Sequence, residues 1–465
     1  MIEDISISSG PDDPQQTEVL SAEGGVVIEA AYITKSGIDY DVRNFMVSFV
    51  LYEDIFSNFL TANVTLVDAA SLITDIKPYG SEFFTISFRT RQSSTTITKS
   101  FSITALVERG PSSTDREQAY TFKLTSGENV VNNNVAISEK LSGRTDMIVE
   151  RLYEEYIRFP RIVRGENTIG NTPMIITGGP HRSSVSFIPP FWTPSKCINW
   201  IANGTRGSKG EAPNYLFFET NKSFFFASIE DMIRIQRDEN KIFASYIFSP
   251  SRHTVQELSQ YTYQFPEISK GYSIVRKISA FDMFDIMQGQ DRGFYGSTLQ
   301  TVDLFFKEQR RFIYDHSAEY NKFNHIEDYT LSGGKISSGA RKNTRPFGPG
   351  IFNGSESKRI LRVKQYQSQP ERNDIEYQAW LQSRNSLLSQ FSQMKIVIEV
   401  AGRSDVEVGK LVNFLYPKMK SSGRFEIDPH VSGLYMITAI KHGVTREEYS
   451  MTLELTKDSM MESIS

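Results

Sequence analysis

The chain has 465 residues, of which 39% are hydrophobic and 23% are charged, and its formal net charge is -4. That length suffices for about three domains of ordinary size, and the charge argues against tight nucleic-acid binding. A single cysteine excludes an intrachain disulfide, which is typical of a protein that assembles in a reducing compartment such as a cytoplasm. No apolar run approaches the length of a membrane span, so no membrane partner is expected.

Residues 1–20 are expected to form a flexible N-terminal arm. Met1 to Gly10 contain acids and no apolar core, which argues against a secretory signal. Residues 11–20 contain two prolines, two aspartates and two glutamines, so the arm has little to bury. An arm of this kind in an assembly protein often becomes ordered only when it docks.

Residues 21–125 alternate between apolar and polar positions, and this period of two predicts the strands of a first β-domain. We expect residues 236–280 to complete this domain. The high aromatic content of 12% suits a pleated sheet. The domain also contains an acidic-aromatic segment at 51–56, a strand that ends in aspartate, a Pro-Tyr-Gly turn and a strand at 83–88. The positions that define this motif are Glu53, Asp54, Phe56, Asp68 and Gly80.

Asp68 and Glu82 lie close enough in the sequence to be considered as a catalytic carboxylate pair. Acids beside turns, however, usually accept hydrogen bonds from the local backbone. We therefore interpret both as structural residues.

Residues 126–235 predict two helices followed by a hairpin. Apolar residues at helical spacing follow Thr145, which is a suitable N-cap. A second helix is predicted to begin at Pro194 and to bury Cys197. The aromatic runs at 215–218 and 223–227 are predicted to form the two strands of the hairpin.

Residues 281–394 are interpreted as a peripheral region. It includes a loop at 332–357 that is rich in glycine. A helix is predicted from Asp374 to about Met394, and its glutamines and serines indicate partial exposure.

Residues 395–460 show the cleanest alternation in the chain and predict three antiparallel strands. Together with residues 126–235 they are expected to form a second, discontinuous β-domain. Gly409 and Gly433 mark turns, and Gly433 is expected to adopt a backbone conformation that a β-carbon resists. Tyr435 lies within the second strand. His442 is expected to end that strand and to bond a neighbouring backbone carbonyl.

The motifs at 51–88 and 406–442 resemble the baseplate hub proteins of contractile-tailed phages of the T4-like myovirus type. The resemblance implies a mainly β, α+β protein with two tube-type antiparallel β-barrel-like domains and a peripheral region. It also implies a homotrimer that forms a pseudo-sixfold ring between a trimeric central spike and a hexameric tail tube, in the baseplate of a virion tail assembled in the host cytoplasm. Its implied partners are the central spike protein, tail tube or tube-initiator proteins and other baseplate wedge proteins. DNA and the tape-measure protein would pass through the lumen without specific binding.

No motif for catalysis, a cofactor or a metal is found in the sequence. Gly333-Gly334-Lys335 lacks the other residues of a phosphate-binding loop, and the glycines at 348–354 are misplaced for a dinucleotide fingerprint. The six histidines lack zinc-site spacing, and no Gly-x-Ser-x-Gly elbow occurs. We therefore expect a structural protein without enzymatic activity or a cofactor.

Two alternatives remain open at this point. One is the hub of a bacterial contractile injection or secretion system, which would share the fold and differ in its neighbouring genes. The other is a carbohydrate-binding or carbohydrate-active β-protein, in which Trp192, Trp200 and Trp380 would stack on sugars.

Overall fold

A computed structural model describes most of the chain between residues 24 and 460. The predicted arm at 1–20 and the predicted loop at 332–357 lie outside the described residues. The internal positions that are not described are 70–72, 74–75, 92, 112–116, 159, 164–165, 170–171, 209–211, 240, 249–270, 283–284, 328, 331–357, 364–376, 392 and 420–424.

Seven antiparallel strands occupy the first part of the described chain, as the alternation predicts. Their apolar faces meet around Phe49, whose ring centroid lies 5.9 Å from that of Phe84 and 6.0 Å from that of Phe101. The strands are β1 (Val26–Lys35), β2 (Ile38–Asp41), β3 (Met46–Asp54), β4 (Thr61–Asp68), β5 (Phe83–Thr90), β6 (Ile97–Pro111) and β7 (Gln118–Ser126).

Helices and short strands follow and enclose a second apolar core. Thr145 is the first helical residue and Arg144 holds the N-cap position, so the predicted cap is wrong by one residue. The Thr145 hydroxyl bonds Nδ1 of His181 at 2.9 Å instead. The second predicted helix and the hairpin are confirmed, and Cys197 is buried. The elements are α1 (Gly127–Asn134), β8 (Leu141–Arg144), α2 (Thr145–Tyr156), β9 (Pro160–Val163), β10 (Glu166–Ile169), β11 (Met174–Ile176), β12 (Ser184–Phe187), α3 (Pro194–Gly204), β13 (Tyr215–Glu219), β14 (Phe224–Ser228), α4 (Ile229–Asp238) and β15 (Ala244–Phe248).

The peripheral part contains a separate three-stranded sheet. Its central strand pairs with one neighbour antiparallel and with the other parallel. Two strands of the large sheet, β16 (Ile274–Val275) and β17 (Lys277–Asp282), precede this part. Its own elements are α5 (Ile286–Arg292), β18 (Gly296–Asp303), β19 (Glu308–Asp315), α6 (His316–Glu319), β20 (Tyr329–Thr330) and β21 (Arg359–Val363). The three-stranded sheet has the order β19-β18-β21.

The last part begins with α7 (Leu381–Gln390) and continues with strands. The observed helix is therefore shorter at both ends than the predicted one, which runs from Asp374 to about Met394. Residues 374–376 lie outside the described part. The predicted exposure of its polar residues is wrong, because they bond buried carbonyls: Gln382 donates to Ser297 O at 2.9 Å and Gln390 to Asp458 O at 2.8 Å. The strands are β22 (Lys395–Ala401), β23 (Leu411–Leu415), β24 (Pro417–Met419), β25 (Phe425–Ile427), β26 (Gly433–Thr445), β27 (Tyr449–Thr456) and β28 (Ser459–Met460).

One sheet of 14 strands runs through the described residues and joins β1–β7 to strands that follow α7. Its main path is β16-β15-β23-β26-β3-β4-β7-β6-β5-β1-β2, and β27, β22 and β17 extend it from β26. The protein thus has the predicted mainly β, α+β fold. The division into two tube domains stays a prediction. Among the described residues, no helix is long and apolar enough to cross a bilayer.

Candidate functional site at the strand junction

The two predicted motifs meet where β3 pairs with β26. Nε2 of His442 lies 3.2 Å from Oε1 of Glu53, and its Nδ1 lies 2.7 Å from the hydroxyl of Tyr449 on β27. The side chains of Glu53 and His442 are both fully buried. His442 therefore links the strands on both sides of β26.

Both ring nitrogens of His442 have a side-chain partner. The Tyr449 hydroxyl, which lies against Nδ1, also donates to the carbonyl of Arg403 at 3.1 Å. A single proton between Nε2 and Glu53 Oε1 completes the other hydrogen bond. The expectation of a strand-end histidine bonded to a backbone carbonyl is wrong on both counts. His442 lies within β26 and its ring bonds two side chains, because these diagonal neighbours face it across the sheet.

Asp54 ends β3 and shapes the turn that follows. Its Oδ1 accepts a hydrogen bond from the backbone N–H of Phe56 at 2.8 Å. Burial raises the pKa of the Asp54 carboxyl, and this backbone donor partly opposes the increase. The turn leaves the ring of Phe56 half exposed at the molecular surface.

Asp68 and Glu82 each accept hydrogen bonds from the backbone of their own loop, as expected of acids beside turns. Oδ2 of Asp68 accepts from the N–H of Ile73 at 2.8 Å. Oε2 of Glu82 accepts from three successive N–H groups, including that of Gly80 at 2.9 Å. Burial acts to raise the pKa of Glu82, but these donors, with Lys35 at 3.4 Å, leave it below its ordinary value. Gly80 itself has a φ of +105°.

Gly433 adopts the conformation that the sequence predicts, with a φ of +127°. A β-carbon there would lie 2.2 Å from Oε1 of Glu327, which accepts the N–H of Leu434 at 2.8 Å. The buried ring of Tyr435 follows, and its hydroxyl donates to Val431 O. Gly433 thus allows a carboxylate from the peripheral region to approach the start of β26.

Lys457 completes the cluster around Glu327. Its Nζ donates to the carbonyl of Ser432 at 3.1 Å and lies 3.7 Å from Oε2 of Glu327. Burial raises the pKa of Glu327 to about 7 and lowers that of Lys457 to about 8. Loss of hydration therefore outweighs the attraction between the two charges.

Gly409, the remaining motif glycine, has a φ of +81°. Its N–H donates to Ile437 O at 2.7 Å, which holds the turn before β23 against β26. It lies in a turn, as the sequence predicts.

A second buried ion pair connects the first seven strands with the hairpin. Nζ of Lys99 on β6 lies 3.2 Å from Oε1 of Glu219 on β13. The other carboxylate oxygen accepts the N–H of Leu60 at 3.0 Å. Both side chains are almost completely removed from solvent, so the pair stands where two packed elements meet.

The motifs do not identify Lys99, Glu219, Glu327 and Lys457. Members of each pair lie more than 100 positions apart in the sequence, and no local spacing connects them. A charged residue inside an alternating strand, such as Lys99, is the one signal that was present. In the described part of the chain, no group of three His, Cys, Asp or Glu side chains is placed to hold a metal ion.

Comparison with solved structures gives matches over nearly the whole chain. The tail protein from Neisseria meningitidis MC58 has a TM-score of 0.52 at 10% identity, covering 93% of this chain and 97% of its own. The 43 kDa tail protein of prophage MuSo2 from Shewanella oneidensis has a TM-score of 0.49 at 8% identity, covering 92% and 99%. A Francisella PdpA-VgrG complex gives 0.46 at 9% identity, covering 95% of this chain and 54% of the matched one.

Of these three matches, the Neisseria protein has a TM-score above 0.5, and it shows that this chain has the fold of that tail protein. No protein-family model and no curated protein sequence matches the chain.

Proposed function

We propose that the protein is the baseplate hub of a contractile tail, a homotrimer whose pseudo-sixfold ring joins the central spike to the tail tube. The observation that carries the proposal is the fold shared with the tail protein from Neisseria meningitidis MC58 over 93% of the chain. The motif resemblance at both ends of the chain supports the same assignment. Tube or tube-initiator proteins and baseplate wedge proteins would be its further partners.

The large sheet supports a ring-forming role. Among the described residues its main path ends at β2 and β16, and edge strands present backbone groups to which another chain can bond. The side chain of Ile38 on β2 is 57% exposed. If each copy binds the next through the same contact, the copies form a closed ring when the rotations between neighbours add up to a full turn.

The buried junction supports a structural role rather than catalysis. Glu53 and His442 are the residue types of a general acid–base pair, but both side chains have no exposed surface. A substrate could not reach them without separating β3 from β26. We therefore propose that the pair fixes the alignment of the strands and that the protein has no nuclease or lytic activity.

The channel of such a ring must let DNA pass. Phosphate-rich duplexes are retained by basic surfaces, and the net charge of -4 is compatible with a neutral or weakly acidic lining. We expect the strands that line the ring to present Asp, Glu, Ser, Thr and Asn more often than Lys and Arg. Duplex binding by the trimer in about 0.1 M salt tests this, since screening leaves only close contacts effective. Micromolar or tighter binding would contradict a passive channel.

The decisive experiment is the oligomeric state with and without a spike protein. Light scattering should give a trimer, or a monomer that becomes a trimer when the spike is added, with interfaces of at least about 1,000 Å² each. A stable dimer under all conditions would contradict the hub assignment. Cleavage of peptidoglycan by the purified chain would move the protein into the enzyme class.

A further inference from the structure

A pocket with a volume of about 460 Å³ opens where the turn after β3, helix α3 and strand β13 meet. Two indole rings and the exposed ring of Phe56 contribute apolar surface. Two cationic side chains also line it, and no carboxylate does. The residues that matter for its chemistry are Phe56, Trp192, Lys196, Asn199, Trp200 and Arg384.

Arg384 on α7 is a buried cation without an acidic partner among the described residues. Its side chain donates to three carbonyl oxygens, those of Ala202, Pro213 and Tyr215, at 3.3, 2.7 and 3.1 Å. These bonds leave two of its five N–H groups without a partner in the described part. The residue is only 9% exposed. Burial lowers the pKa of its guanidinium to about 10, so it remains charged at neutral pH.

Lys196 on α3 adds a second cation to the same pocket. Its Nζ lies 5.1 Å from the ring centroid of Trp192, and it makes no ion pair with any described residue. Lys196 is exposed, whereas Arg384 is a buried cation without a counter-charge in the described part of the chain, which is unfavourable in a medium of low polarity. An anion that entered the pocket would be attracted by both side chains.

The pocket suits a carboxylate on an apolar chain better than a sugar. The ring of Trp200 is already covered by that of Phe187, with centroids 4.1 Å apart, and Lys196 lies over Trp192. The amides of Asn58 and Asn199 bond each other at 3.0 and 2.9 Å. The two charged side chains of the lining, Lys196 and Arg384, are both cationic, which favours an acidic ligand.

The N-terminal segment, residues 1–23, has the matching chemistry and lies outside the described residues. It contains six acidic residues, no Lys or Arg, and five Ile, Leu or Val residues. A chain of 23 residues can extend to about 75 Å. Its acids can therefore lie far from Gly24, where the described part begins.

We propose that this pocket binds a carboxylate of the N-terminal segment, with Arg384 and Lys196 as its counter-charges and the indole rings as its apolar wall. The inference does not depend on the hub assignment. It gives the pocket a role in holding the arm of this chain or of a neighbouring copy.

Tryptophan fluorescence of the full chain tests the proposal, because two of its three tryptophans line the pocket. In one variant, the six acids of residues 1–23 are replaced by their amides. Acrylamide should quench this variant more strongly than the wild type. A synthetic peptide of residues 1–23 should then restore the protection, whereas the same peptide with all six acids amidated should not.

Two pocket variants and one control sharpen the test. Lys196→Ala, made in the amide variant, should raise the peptide Kd at least about tenfold, as expected for one bond to a charged group. Lys241→Ala should leave the Kd unchanged, since Lys241 is an exposed lysine that pairs with Glu239. Arg384→Gln should abolish binding; if that variant fails to fold, the Lys196 variant decides.

Three results would overturn the proposal. One is equal quenching of the wild type and the amide variant, and another is the same peptide Kd for Lys196→Ala and the control. The third is binding of glucuronic acid in place of the peptide, because the occupant would then be an acidic carbohydrate. The peptide Kd is taken from titration midpoints rather than from fluorescence intensities. Lys196 lies beside the ring of Trp192, so its replacement changes the intensity by itself.

Discussion

Nε2 of His442 lies 3.2 Å from Oε1 of Glu53, and this contact joins two residues that are 389 positions apart. It places one residue from each sequence motif on the same face of a continuous sheet. The contact is buried, so its removal leaves the Glu53 carboxyl without a partner at a place that water cannot reach. Variants of these two residues therefore measure how much this contact contributes to the stability of the pairing between β3 and β26.

His442→Leu should destabilise the protein by about 3–5 kcal/mol, because the Glu53 carboxylate would stay buried without its partner. The double variant Glu53→Leu/His442→Leu should recover much of this loss. The free energy of unfolding from urea titration measures both effects. Asp41→Asn is the control, since it removes an exposed pair with Arg43 and should cost less than about 1 kcal/mol. A His442→Leu cost no larger than the control would show that the buried pair does not stabilise the junction.

Gly433→Ala should destabilise more than a glycine-to-alanine change at a turn with open space. Gly433 has a φ of +127°, and its β-carbon would meet Glu327. Gly37 has a φ of +80° with no atom within 4 Å of a β-carbon, so Gly37→Ala reports backbone strain alone, about 1 kcal/mol. The melting temperature of Gly37→Ala measures the cost of backbone strain, and the additional decrease in Gly433→Ala measures the cost of the clash with Glu327. Equal melting temperatures would mean that Glu327 moves away without cost.

Strands and turns could be predicted because their signals are local. Alternation identified β3 and β26, and the position of Gly433 before a strand indicated its unusual φ. The pairing of Glu53 with His442 could not be predicted, since no spacing connects residues so far apart. The sequence does not indicate the burial of Gln382 and Gln390, for a related reason. Glutamine in a helix usually indicates exposure, because its amide needs hydrogen-bond partners. Here the partners are the backbone carbonyls of Ser297 and Asp458, which only the folded chain brings to α7.

Lys99→Met should destabilise the contact between the first seven strands and the hairpin. The change leaves Glu219 buried and charged, with an expected cost of about 3–5 kcal/mol. Lys99→Met/Glu219→Gln should cost less, because the remaining amide needs no counter-charge and can still accept the N–H of Leu60. Urea midpoints of the single and double variants provide the measurement. Additive costs would argue that the two charges do not interact.

The shifted pKa values of Glu327 and Lys457 make the free energy of unfolding depend on pH, in a direction that follows from each shift. The folded protein raises the pKa of Glu327 from 4.5 to about 7, so between these values it holds a proton that the unfolded chain has lost. Stability should therefore fall as the pH rises through this window. The pKa of Lys457 is lowered from 10.5 to about 8. Here the unfolded chain holds the extra proton, and stability should rise as the pH increases from 8 to 10.5.

Glu327→Gln should remove the decline between pH 4.5 and 7, because the amide has no proton to lose. The effect is on the order of 3 kcal/mol across the window, from about 1.4 kcal/mol per unit of pKa. Urea denaturation of the wild type and the variant at half-unit intervals of pH gives the difference in unfolding free energy directly. Glu308→Gln is the matched control, since Glu308 is exposed and paired only with Arg310 among the described residues, and its profile should parallel the wild type. If the Glu327→Gln profile also ran parallel to that of the wild type, the buried carboxyl would not titrate in this window. The close approach of Glu327 to Gly433 would then be held by a carboxylate that stays charged when folded.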